Sequence, residues 1–371
     1  MKAASFPQRG RPPSVLNMRV PESNYQFFLQ AMRNEKPKRM PIYEHNIDAG
    51  FIQKVIDVPM VDLSNGTPAE QRKFMKHYVD FWVNNGYDTV SYELGIPLSC
   101  PGSGCLRNHT APVLTTPESV EAYPWDKIED MYFEKNAPLF EMFAEEIFKH
   151  DNVRGLGGPG FGIFETVQDL VDYTELCYLS VDEPEMVQDV FDRVIELYEK
   201  IWSRFLRDYA EPYCVCRMGD DLGFATQTLL PHNNIRQWII PGYKKIVDLV
   251  HASGRPFILH SCGKIFDIME DLLATGIDAK HSNEDSIAPF HKWVELYGDR
   301  ICNLGGIDMN ILCLDTPEVI KSKVMKTIHE NVDFGGFGLG CGNSIPDYIP
   351  VEGYFAMLEA ANEYRLAQYG G

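Results

Sequence analysis

The sequence contains no run of about 20 uninterrupted apolar residues, which excludes a membrane-spanning helix, and its N-terminus lacks the apolar stretch of a signal peptide. Positive charge is scarce: 34 basic residues stand against 53 acidic ones, a net charge of -19. A chain so acidic repels nucleic-acid backbones and anionic lipid, so neither DNA nor a membrane is expected as a partner. Disulfide-scaffold spacing is also missing. Nine cysteines, an odd number with no paired pattern, point to reduced thiols in a cytoplasmic protein, most of them core and some free to ligate metal. Gly157-Gly158-Pro159-Gly160 has neither the Lys-Ser/Thr of a phosphate-binding loop nor the full glycine spacing of a dinucleotide fingerprint, so nucleotide binding is not expected.

What the chain does have is alternation. Residues 1–20, rich in Arg, Gly and Pro, read as a flexible N-terminal tail, and 21–371 read as one domain. A helix from Glu22 to Asn34 leads to a first strand ending at Ile42-Tyr43. Strand two is placed at 88–93, strand three at 153–156, strand four at 213–218 and strand five in the stretch 256–263, whose last residues emerge from the sheet. Three more follow at 277–281, 300–304 and 335–339, with helical segments between them. Residues 95–116, with Cys100, Cys105 and His109, form an inserted loop or hairpin after strand two. Eight strands alternating with helices predict an α/β fold, a single (β/α)8 TIM barrel with an N-terminal helical extension.

Polar motifs gather just after the predicted strands: Gly157–Gly160, Gly219-Asp220-Asp221, His260-Ser261-Cys262-Gly263, His281-Ser282-Asn283-Glu284, Gly305-Gly306-Ile307-Asp308 and Cys341-Gly342-Asn343. In a TIM barrel that end of the strands carries the active site. His260 and Cys262, two apart at a strand end, face the same side and can offer a ring nitrogen and a sulfur to one point. Cys341, after the last strand, is the candidate third ligand. Three such ligands suit zinc with an open fourth position, the arrangement of a catalytic site. The alternative is a core histidine with two buried thiols.

Glu284 is the candidate exchangeable fourth ligand, or an exposed loop charge. Of the adjacent Asp220 and Asp221, one is expected to cap a helix and the other to orient a ligand or act as a general base, with Asp220 preferred for the functional role. His281 and Asp308 read first as a satisfied histidine and a turn residue. The C-x4-C spacing of Cys100 and Cys105, with His109, does not form a zinc signature.

Gly219-Asp220-Asp221-Leu222-Gly223, Ile240-Pro241 with Tyr243-Lys244-Lys245, His260-Ser261-Cys262-Gly263, Gly305-Gly306-Ile307-Asp308 and Cys341 together resemble the uroporphyrinogen decarboxylase superfamily over residues 20–368. The His-x-Cys with a distant Cys resembles its zinc- and corrinoid-dependent methyltransferase branch, which includes methylthiol:coenzyme M-type enzymes and bacterial ether O-demethylases. The arginine-rich N-terminal signature by which true decarboxylases grip a tetrapyrrole is absent from Ala31–Pro37. The resemblance implies methyl transfer between a small substrate and the cobalamin of a separate corrinoid-binding protein, with zinc as Lewis acid, and is compatible with a homodimer. Tyr92, Phe161, Phe164 and Phe224 near strand ends favour an aromatic methyl ether over a thiol as substrate. The competing readings are a metal-independent decarboxylase of the same fold and a zinc-containing barrel that binds without catalysing.

Overall fold

The structure, a computed structural model, describes residues 18–60, 66–283 and 286–369. Most of the N-terminal tail therefore lies outside the described residues. The described residues divide into two compact units: one takes those up to Tyr92 with Glu141–Leu156 and those from Asp278 onward, the other Glu93–Phe140 with Gly157–Ile277.

Among the described residues seven strands follow chain order in one sheet: β1 (Thr89–Gly95), β2 (Arg154–Gly160), β3 (Tyr213–Gly219), β4 (Phe257–His260), β5 (Ala279–His281), β6 (Cys302–Ile307) and β7 (Phe337–Cys341). Helices separate them, and β3 with β4, β5 with β6 and β6 with β7 pair in parallel. This is the α/β fold of the TIM-barrel class that the alternation predicts. Among the described residues no helix is long and apolar enough to cross a membrane.

The expected first strand is reduced to a bridge. Ile42 pairs in parallel with Leu339 of β7, Tyr43 N–H donates to the Leu339 carbonyl at 2.8 Å, and Leu339 N–H donates to Pro41 at 3.1 Å. A proline at 41 has no N–H with which to extend the ladder, so pairing stops after a few bonds. The segment approaches β7 so closely that a Cβ on Gly340 would overlap the Tyr43 carbonyl. Gly340→Ala should accordingly destabilise the protein by about 1–3 kcal/mol through overpacking, read as a lower urea midpoint with unchanged slope.

Two glycine motifs lie inside strands and not after them. Gly157–Gly160 belong to β2 and Gly305-Gly306 to β6. The cause is close packing: a Cβ on Gly158 would come 2.9 Å from Phe205, and one on Gly306 would come 2.8 Å from Thr327. Past Gly95, the last residue of β1, the insertion at 95–116 contains no strand; it includes a 3-10 turn, Ile96–Ser99, and a short helix, Cys105–Asn108. Arg107 clamps it by donating to Asp169 at 2.6 and 3.0 Å.

The first unit carries a buried ionic cluster at the start of β1. Asp88, fully buried, accepts from Arg39 at 2.6 Å, from Arg365 at 2.7 Å and from the Asn24 N–H at 2.8 Å. Burial pulls the Arg365 guanidinium down to about 10, which still leaves it charged at neutral pH.

Candidate metal centre

The parallel register of the second unit places Gly219 opposite His260, so the residues that follow continue side by side, Asp220 by Ser261 and Asp221 by Cys262. Hydrogen bonds fix this. Asp220 N–H donates to the His260 carbonyl at 2.9 Å, Leu222 N–H to Ser261 Oγ at 3.2 Å, and Cys262 N–H to Asp221 Oδ1 at 2.9 Å. Gly263, with φ +86°, lets the loop pass directly over the Gly223 backbone, where a Cβ would overlap.

His260 and Cys262 do meet at one point: Nε2 and Sγ lie 3.5 Å apart, although only His260 is in β4. Asp221 Oδ1 lies 3.7 Å from the same His260 nitrogen, and the three ligand atoms fall within 4.8 Å of one another. Zinc–sulfur and zinc–nitrogen bonds of ordinary length at a tetrahedral angle separate S and N by about 3.6 Å. The pair therefore fits two corners of a zinc tetrahedron, with Asp221 beside a third.

Asp220 occupies a different role. It is fully buried, accepts the N–H groups of Phe164 and Glu165 at 2.8 Å each, and accepts from Tyr243 Oη at 2.6 Å. Burial pushes its carboxyl up to about 7 against the pull of these donors. It anchors the first turn of the helix Ile163–Val171, and Gly162 allows the approach because a Cβ there would coincide with the Asp220 side chain.

In the first unit Cys341 ends β7 and is fully buried. Its N–H points at both oxygens of buried Glu44, at 3.2 and 3.3 Å, and its Sγ is 3.2 Å from Met309 Sδ. Burial, then the nearby Glu44, push the Cys341 thiol well above its ordinary range, so a metal would have to displace its proton. His281 lies 2.9 Å from the Cys341 carbonyl through Nε2 and stacks on His45 at 5.6 Å. Asp308 caps the helix Met309–Leu314 by accepting from Asn310 N–H at 2.8 Å, the turn role expected first. Glu284 lies outside the described residues.

Among the described residues no metal-type cluster includes Cys100, Cys105 or His109. Burial pushes the Cys100 thiol up to about 12, and His109 is exposed. Tyr92 and Phe164 are core, whereas Phe224 is 65% exposed and Phe161, at φ +63°, is half-buried. Sequence reasoning passed over Asp221 as a metal neighbour and Glu44. Strand register finds Asp221, since two residues past the Gly219–His260 pair it must lie beside Cys262.

A family model described as uroporphyrinogen decarboxylase (URO-D) matches residues 89–364. Among solved structures, a methyltransferase from Methanosarcina mazei matches 93% of this chain and 99% of its own, with a TM-score of 0.69 and 16% identity. A sugar phosphate isomerase/epimerase from Parabacteroides distasonis covers 88% of this chain and 97% of its own, at a TM-score of 0.38 and 12% identity. No curated protein matches by sequence.

Proposed function

From the premise that the chain belongs to the uroporphyrinogen decarboxylase family, we propose that it is a zinc-dependent methyltransferase of the cytoplasm. It would move a methyl group between a small substrate, an aromatic methyl ether in preference to a thiol, and the cobalamin of a separate corrinoid-binding protein. The observation that carries this reading is the 3.5 Å approach of His260 Nε2 and Cys262 Sγ at the end of β4. A decarboxylation without metal gives such a pair no task. The likeness in fold to the Methanosarcina mazei methyltransferase is in keeping with it.

His260, Cys262 and Cys341 are the proposed permanent ligands. Glu284 is the proposed exchangeable fourth, and Asp221 lies close enough to His260 to compete for that place. When bound, zinc supplies Lewis acidity to the substrate heteroatom. The chain's own residues do the rest. Asp221 holds the Cys262 backbone, Asp220 ties the His260 strand end to the helix Ile163–Val171, and Glu44 holds the Cys341 backbone. Such supports orient the ligands and tune what they hold. Asp220 is thus proposed to act in catalysis by position. Phe224 and Phe161 offer aromatic surface for a ring-bearing substrate.

Mixing the purified zinc-loaded protein with cob(I)alamin and anisole should convert the cobalt spectrum to that of methylcobalamin, and phenol should appear in equal amount. Thiol methylation from methylcobalamin with no ether demethylation would reassign the substrate. Neither reaction, with zinc present, would favour a barrel that binds without catalysing.

A further inference from the structure

Cys341 is held on both sides by side chains of the first unit, and one of them crosses a strand to reach it. On the N-terminal side buried Glu44 accepts the Cys341 N–H, at 3.2 and 3.3 Å from its two oxygens. On the C-terminal side His281 Nε2 lies 2.9 Å from the Cys341 carbonyl oxygen. A carbonyl only accepts, so Nε2 carries the hydrogen and donates it. The N–H of the same peptide group, at Gly342, donates to the Ile307 carbonyl at 2.8 Å.

His281 ends β5 and Cys341 ends β7, and β6 lies between those strands in the sheet. The imidazole therefore passes over β6, at Gly305. A Cβ on Gly305 would come 3.2 Å from the Cys341 oxygen and 3.5 Å from His281 Cδ2, so a residue without a side chain keeps the path between them open. Two ring contacts fix the imidazole itself: Tyr43 meets it edge-on at 5.0 Å and His45 stacks on it at 5.6 Å. His281 is fully buried. An apolar ring would fill the same space, but only a donor satisfies the buried carbonyl.

We propose that His281 is a positioning residue for the metal: by holding the Cys341 carbonyl across β6, it aims the Cys341 side chain so that its sulfur can serve as a ligand. This rests on the zinc reading above and adds to it a residue standing behind one ligand. Partners of this kind set the direction of the ligand they hold, and losing one costs about 10- to 100-fold in metal affinity or activity. His281 grips the backbone of Cys341, so its effect on zinc runs through that one ligand.

Two readouts independent of turnover test this. One is zinc affinity, by competition with a chromophoric chelator. The other is the number of thiolates on cobalt(II) put in place of zinc, from the sulfur-to-metal charge-transfer absorption. His281→Phe, which fills the ring's space without a donor, should bind zinc about 10- to 100-fold more weakly and show one thiolate where wild type shows two. His281→Gln, which keeps an N–H donor at similar reach, should match wild type in both. In a Cys341→Ser background H281F should weaken zinc no further. Wild-type affinity and two thiolates in H281F overturn the positioning role. An equal loss from H281F in the Cys341→Ser background also overturns it, since a general structural effect would act in both. If circular dichroism shows H281F unfolded, H281Q decides: two thiolates support the proposal and one overturns it. A wild type with fewer than two thiolates overturns Cys341 as a ligand, the reading on which the proposal rests.

Discussion

His260→Ala and Cys262→Ser should each abolish stoichiometric zinc binding and lower methyl transfer by at least about 10³-fold, leaving the fold intact. Lewis-acid assistance contributes several kcal/mol of transition-state stabilisation, and each 1.36 kcal/mol is about a factor of ten in rate. The two residues meet at 3.5 Å, so losing either removes a corner of the tetrahedron and leaves one ligand from this strand end. The fold should survive because the loop is held by other bonds: Leu222 to Ser261, Asp220 to the His260 carbonyl and Cys262 N–H to Asp221 all remain. Metal analysis with circular dichroism checks both parts. Full activity in a zinc-free variant would contradict the assignment.

Asp88→Ala should have the largest effect on stability, about 3–5 kcal/mol, through a different mechanism. The carboxylate serves two buried guanidinium groups, Arg39 and Arg365, and one backbone N–H. Its removal leaves those cations without their anion in a place closed to water, and the penalty for an uncompensated buried charge exceeds the pair's own net worth. Asp88→Asn should cost less, since the amide oxygen can still accept. Urea unfolding measures the difference as a lower midpoint. A loss under about 1 kcal/mol would show that the cluster relaxes to reach solvent.

The alternation of apolar runs with helical segments was enough to read the TIM-barrel class, because each strand of a parallel sheet is a short apolar run followed by a helix. It was not enough to see that Pro41 cuts the first strand to a bridge, or that glycines at 157–160 and 305–306 sit within strands. Those depend on which side chains approach from outside, Phe205 and Thr327 among them, and no local pattern encodes that. The His260–Cys262 pair was legible because its geometry is local, two residues at one strand end. Asp221 was hidden by its neighbour. Choosing between adjacent aspartates requires the register of β3 against β4, a non-local fact, and the register puts Asp221 beside Cys262 and Asp220 behind it. Glu44 carries no motif, and its placement follows only from the backbone group it meets.

The most direct test of the central claim is the metal content and metal–ligand distances of the purified protein, by elemental analysis and X-ray absorption. The predicted result is about one zinc per chain with two sulfur ligands near 2.3 Å and the remainder nitrogen or oxygen near 2.0–2.1 Å. Cys341→Ser should reduce the two sulfurs to one, and Cys262→Ser should leave no stoichiometric zinc to observe. A protein that takes up no zinc, or whose zinc shell contains no sulfur, would contradict the account.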